Sequence, residues 1–80
     1  MMTLKVDVIV QGYLRELYPH LREKEEVISE TPLTVRQIIS QLGIKSETVL
    51  FVTQEGRIID KDYLVESNTE LVLVSPPAGG

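Results

Sequence analysis

From Leu4 to Val10 the chain alternates, with Leu4, Val6, Val8 and Val10 on one side and Lys5, Asp7 and Ile9 on the other. Period two in β-branched residues predicts a strand with one buried face. Gln11-Gly12 can end it. Tyr13 to Tyr18 carries apolar residues at helical spacing, but Pro19 limits that helix to a turn or so. His20 to Glu26 is strongly polar and reads as loop, and Glu26-Val27-Ile28-Ser29 as a short strand.

The best-specified element is a helix beginning after Thr34. Thr34-Val35-Arg36-Gln37 has the capping-box form, Leu33 and Ile38 can make the hydrophobic staple, and Val35, Ile38, Ile39 and Leu42 form one apolar stripe. Gly43 suits a left-handed C-terminal position, with Ile44 folding back beyond it. Val49 to Thr53 is apolar on both faces and predicts an internal strand. Glu55-Gly56 reads as a tight connection into Arg57-Ile58-Ile59. Asp60 to Tyr63 reads as a turn, with Leu64 or Val65 plugging the core. Ser67-Asn68-Thr69 is a further turn signal, Asn68 being the residue that tolerates positive φ. Leu71 to Val74 is the last strand.

One helix cannot cover both faces of a sheet, so an α+β two-layer domain follows, with a mixed sheet of four to five strands and one face open. The first two strands can form a wide hairpin. The last can run parallel beside the first, with the helix as crossover.

Composition narrows the function classes. Eighty residues make one domain, and the 42% hydrophobic and 25% charged shares are ordinary globular values. The net charge of −4 comes without a clustered basic face, which argues against nucleic-acid binding. No run approaches the roughly 20 apolar residues that span a membrane, so a cytoplasmic location is the expectation. The absence of cysteine excludes disulfides, thiolate metal sites and cysteine nucleophiles. His20, the only histidine, sits in a polar loop and reads as solvated. No Ser/His/Asp set, Gly-rich phosphate loop or metal-ligand cluster can be assembled, so no cofactor is expected on this chain.

What remains is the tail, Ser75-Pro76-Pro77-Ala78-Gly79-Gly80. A strand cannot continue through Pro76-Pro77, and the proline pair makes a stiff stalk after the core strand. Gly79 lacks a Cβ and can pass a slot that other residues would block. The Gly80 carboxylate is a poor electrophile unless a partner using ATP converts it to an acyl-adenylate, from which a sulfur or amine nucleophile can displace AMP. Such a tail divides the chain into a domain over 1–74 and a flexible diglycine tail over 75–80.

The strand Leu4–Val10 with Leu14-Arg15-Glu16-Leu17, the helix from Leu33 to Ile39, the approach Thr69-Glu70-Leu71-Val72, and above all the tail resemble the ubiquitin-like MoaD/ThiS sulfur carriers. The likeness runs nearly the full length and is specific in the tail. It implies a β-grasp fold. It also implies that an E1-like adenylating enzyme activates Gly80, and that a sulfur donor of cysteine desulfurase or rhodanese type helps convert it to a thiocarboxylate. The molybdopterin synthase small subunit is the member most resembled, with that enzyme's large subunit as recipient. Thiazole synthase, a tRNA-thiolating enzyme and attachment to lysines are the alternatives.

The open sheet face is the expected docking surface, with Ile9, Phe51, Val72 and Val74 as candidates beside Ser75, Pro76, Pro77 and Ala78. A different class, a plain interaction domain indifferent to Gly79-Gly80, is also open to the sequence.

Overall fold

The computed structural model describes residues 3–76. In chain order the elements are β1 (Leu4–Val10), α1 (Gly12–Leu17), β2 (Lys24–Ser29), β3 (Leu33–Thr34), α2 (Val35–Gln41), a 3₁₀ turn (Ser46–Thr48), β4 (Phe51–Gln54), β5 (Arg57–Ile59), β6 (Leu64–Val65) and β7 (Thr69–Val74). Five strands form one mixed sheet in the order β2-β1-β7-β4-β5, and β3 pairs with β6 in a separate two-stranded sheet. β1 and β7 are parallel, and every other pairing is antiparallel. This is the β-grasp arrangement, with α2 as the main helix on one face.

Local chemistry explains why α2 starts and stops where it does. Thr34 Oγ1 accepts from the Gln37 N–H at 3.1 Å, and the Thr34 N–H donates to Gln37 Oε1 at 2.8 Å. The capping box is complete. At the other end Gly43, at φ +76°, donates to Ser40 O at 2.9 Å, and the Ile44 N–H donates to Ile39 O at 3.2 Å. Those two bonds are the Schellman pattern, with buried Ile44 as its hydrophobic contact. Between the caps, Val35, Ile38 and Ile39 are wholly buried. Each contributes about 1.5–3 kcal/mol of burial against roughly 1 kcal/mol for the N-cap, so packing holds the helix to the sheet.

That face of the sheet is the core. Val6, Val8 and Val10 of β1, Leu71 and Leu73 of β7, and Val52 of β4 are all fully buried. No polar or charged residue is buried among the described residues. The β4–β5 hairpin turns on Glu55 and Gly56, at φ +52° and +80°. Positive φ at both central residues is the type I′ form that matches strand twist.

Several expectations are corrected. β2 begins at Lys24, not Glu26, because the charged segment pairs with β1, Ile9 opposite Lys24. β4 begins at Phe51 rather than Val49, whose N–H is drawn to Ser46 O at 3.0 Å to close the 3₁₀ turn. β7 begins two residues before Leu71. Leu33 and Val65 are both strand residues, paired across β3 and β6, and of the two proposed plugs only Val65 is buried. Asn68 does not adopt positive φ; its Oδ1 accepts from the Lys5 N–H at 2.8 Å, where β7 offers no carbonyl.

Packing should outweigh capping. In urea unfolding, Ile38→Ala is expected to cost about 2–5 kcal/mol and Thr34→Ala about 1 kcal/mol. Equal losses would contradict a helix held mainly by its apolar stripe.

Candidate functional site

Because Leu71 and Leu73 point into the core, Glu70, Val72 and Val74 of β7 face the other way. Register then places the candidates. Ile9 lies opposite Val72, Val72 opposite Thr53, and Phe51 opposite Val74. All four candidates are half-buried and share the uncovered face. Ser75, half-buried, and Pro76, exposed, continue from it. Pro77, Ala78, Gly79 and Gly80 lie outside the described residues.

Two further apolar residues belong to this end of the molecule. Ile58 stands opposite Thr53, in the same row as Ile9 and Val72, and is 69% exposed. Leu50 is 58% exposed, and its N–H donates to Val74 O at 2.7 Å, so it borders the tail root directly. The sequence held a signal for Ile58, since a hairpin strand ending Ile58-Ile59 can bury only one of two adjacent side chains. Ile59 is the one that packs on the core. Leu50, Ile58, Arg36 and Asp62 line a shallow groove of ≈ 470 Å³ that curves around this sheet edge.

Behind the apolar end the same face is charged. Asp7 pairs in register with Glu26 on one side and Glu70 on the other. Like charges directly opposite are unfavourable in a sheet. Two lysines offset part of this diagonally, Lys5 Nζ at 3.2 Å from Glu26 and Lys24 Nζ at 3.8 Å from Asp7. The hydrogen bond and charge of Glu26, with the charge of Asp7, raise the pKa of Lys5 above its ordinary value. Glu70 is exposed and has no ion pair among the described residues.

Other polar groups serve the fold. Lys61 Nζ donates to Ser46 O at 2.8 Å and to Val49 O at 2.6 Å, fixing the segment before β4. Asp62 N–H donates to Asp60 Oδ1 at 2.7 Å, the expected turn. His20 is exposed yet not simply solvated, because its Nε2–H donates to Leu42 O at the end of α2, 3.0 Å away. The Arg22 N–H donates to Glu25 Oε2 at 2.7 Å and, as the main cause, lowers the Glu25 pKa. Among the described residues no group of three or more His, Asp or Glu could hold a metal ion, and no helix is long and apolar enough to cross a membrane. A cavity of ≈ 680 Å³ bordered by Thr3, Leu4 and Pro32 opens at the start of β1, the end opposite the tail root.

Residues 8–80 match the model of the ThiS family. No curated protein matches the chain. Among solved structures, SAMP1 from Haloferax volcanii superposes with a TM-score of 0.72 at 17% identity, over 95% of this chain and 99% of its own. A protein assigned as molybdopterin converting factor subunit 1 from Pyrococcus furiosus gives 0.69 at 18% identity, over 92% and 99%. The Caldiarchaeum subterraneum ubiquitin gives 0.61 at 15% identity, over 99% and 100%. At these identities the three structures establish the fold.

The charge pairing has a measurable consequence. Lys5 is raised in the folded state, so its contribution is full below the unfolded pKa and is lost as pH rises through the folded value. Glu26→Gln should bring the Lys5 titration, followed by NMR, down towards an ordinary lysine and flatten the alkaline limb of stability. An unmoved Lys5 titration would contradict the pairing.

Proposed function

Because the chain belongs to the ThiS family of ubiquitin-like sulfur carriers, we propose that its reactive group is the Gly80 carboxylate, carried on a tail and presented beside the open sheet face. An E1-like enzyme transfers AMP from ATP to that carboxylate and releases pyrophosphate. A persulfide sulfur from a desulfurase or rhodanese-type donor then attacks the acyl carbon and AMP leaves. Reduction of the resulting acyl disulfide by a thiol yields the thiocarboxylate. Every reacting group other than Gly80 is supplied by partners, and ATP is the activating enzyme's substrate.

The observation that carries this reading is continuity. The family match runs through Gly80, and β7, the strand that leads to the tail, also bears Val72 and Val74 on the uncovered face. A partner that holds Ile9, Phe51, Val72 and Val74 has the tail root within its contact area. From Ser75 onward the tail then spans at most roughly 20 Å, at about 3.3–3.6 Å per residue, enough to enter a pocket in that partner. Gly79 allows the passage because it has no Cβ. Ser75, Pro76, Pro77 and Ala78 form the part that a pocket wall would grip.

For the recipient we favour the large subunit of molybdopterin synthase, which makes this chain the small subunit of that enzyme in molybdenum or tungsten cofactor synthesis. The tail resemblance and the shared fold of the Pyrococcus furiosus protein support that choice. Thiazole synthase, a tRNA-thiolating enzyme or a target lysine would each receive the same activated terminus.

Incubation with the activating enzyme, ATP and a sulfur donor should raise the mass of the C-terminal peptide by one oxygen-to-sulfur exchange. Deletion of Gly80 should abolish the gain, and Val72→Asp should cut its rate by about tenfold or more through loss of docking. No gain with a demonstrably active enzyme would overturn the proposal. Higher-mass lysine conjugates that disappear with Gly80 would replace sulfur donation by protein modification.

A further inference from the structure

The open face is not uniformly apolar, and its charged half says something about what docks there. Along β7 the residues Glu70, Val72 and Val74 follow one another on the same face, so the Glu70 carboxylate sits about 7 Å from the Val72 contact, two strand residues away. Across the sheet Glu70 is in register with Asp7, itself in register with Glu26. Lys24, on β2, offsets Asp7, and Lys5, on β1, is turned to Glu26 of β2. On the β7 side nothing plays that part for Glu70 among the described residues.

A carboxylate opposite another carboxylate weakens the isolated sheet. Its position next to the docking residues gives it a use only when a second molecule arrives. We infer that the protein docking on Ile9 and Val72 supplies an arginine or lysine to Glu70, placed about 7 Å from its apolar contact, and that this pair steers and selects the partner. The inference rests on the docking reading above. It assigns to Glu70 a role in specificity, outside the chemistry at Gly80. An approaching cation meets a surface that is negative on its β7 side and already neutralised on its β2 side, which orients the encounter. It also faces apolar side chains that lose water as they close, which strengthens the charge pair once formed.

The test uses the full chain and the E1-like adenylating enzyme of the same cell, read by ATP–pyrophosphate exchange as a function of carrier concentration. Glu70→Gln should raise KM about fivefold with kcat unchanged, and should flatten the rise of KM with salt expected for the wild-type chain. Glu70→Lys should raise KM by about tenfold or more, since like charges then meet. Glu30→Lys, the same change in net charge made at the opposite end of the sheet, should leave KM within about twofold. The urea midpoint of Glu70→Gln should equal or exceed that of the wild type, because a like-charge contact with Asp7 is relieved. A loss of stability together with activity would make Glu70 structural and overturn the inference. Exchange that is normal for the wild type and equal in both Glu70 variants would overturn it while leaving the carrier reading intact. No exchange with the wild-type chain, by an enzyme active on another carrier, would remove the carrier reading and this inference with it.

Discussion

The parallel pairing of β1 with β7 is the constraint on which the rest of the molecule depends. Parallel neighbours need a crossover, and here the crossover carries β2, α2 and the β4–β5 hairpin. It puts the last strand in the middle of the sheet, hydrogen-bonded to β1 on one side and β4 on the other. Leu71 and Leu73 are fully buried there, so the strand that leads to the tail is anchored by the core itself. Register Val10↔Leu73 also means that β1 ends where β7 still has Val74 to give. The tail root therefore projects past its neighbour, held by β4 through Phe51 and the Leu50 N–H.

A sheet with one helix layer divides its labour by face. The covered face supplies stability through a continuous set of Val, Ile and Leu side chains. The uncovered face is released from that duty and carries exposed Ile58 and Ile28, half-buried Ile9, Phe51, Val72 and Val74, and a row of carboxylates. Neither the apolar exposure nor the opposed carboxylates help a chain of eighty residues stay folded. Both make sense on a surface used for contact. The division leaves the tail root, Ser75-Pro76, at the edge of a face that a partner could hold.

Much of this was legible in the sequence where one physical signal dominated. Thr34, Gln37, Gly43 and Ile44 specify both ends of α2, and alternation specifies β1. Failures arose where signals competed. Lys24 and Glu25 look like loop residues because polarity outweighs β-propensity in a short segment, yet they open an edge strand beside β1, where Lys24 finds a diagonal partner in Asp7. Leu33 and Val65 are buried, as a staple and a plug would be, but their pairing across β3 and β6 was hidden because a two-residue strand has no periodicity to detect. Asn68 suits positive φ, but the register of β1 left the Lys5 N–H facing it, and a side-chain acceptor met that need. On the uncovered face, Ile9, Phe51, Val72 and Val74 were legible because alternation in β1 and apolar residues on both faces of the later strands leave them outside the core. Ile58 carried a local signal in its adjacent pair with Ile59, whereas the place of Glu70 depends on register between β1 and β7, far apart in the chain.

The functional proposal stands or falls on whether partners read the uncovered sheet face, with the tail root at its edge. The decisive experiment is a titration of methyl-labelled chain with an E1-like adenylating enzyme, followed by NMR. The methyl signals of Ile9, Ile58, Val72 and Val74 should shift or broaden first, while those of Val6, Val8 and Leu71 on the covered face stay put. Perturbation confined to the helix side, around Val35 and Ile38, or to the cavity end at Leu4, with the open face silent, would contradict it.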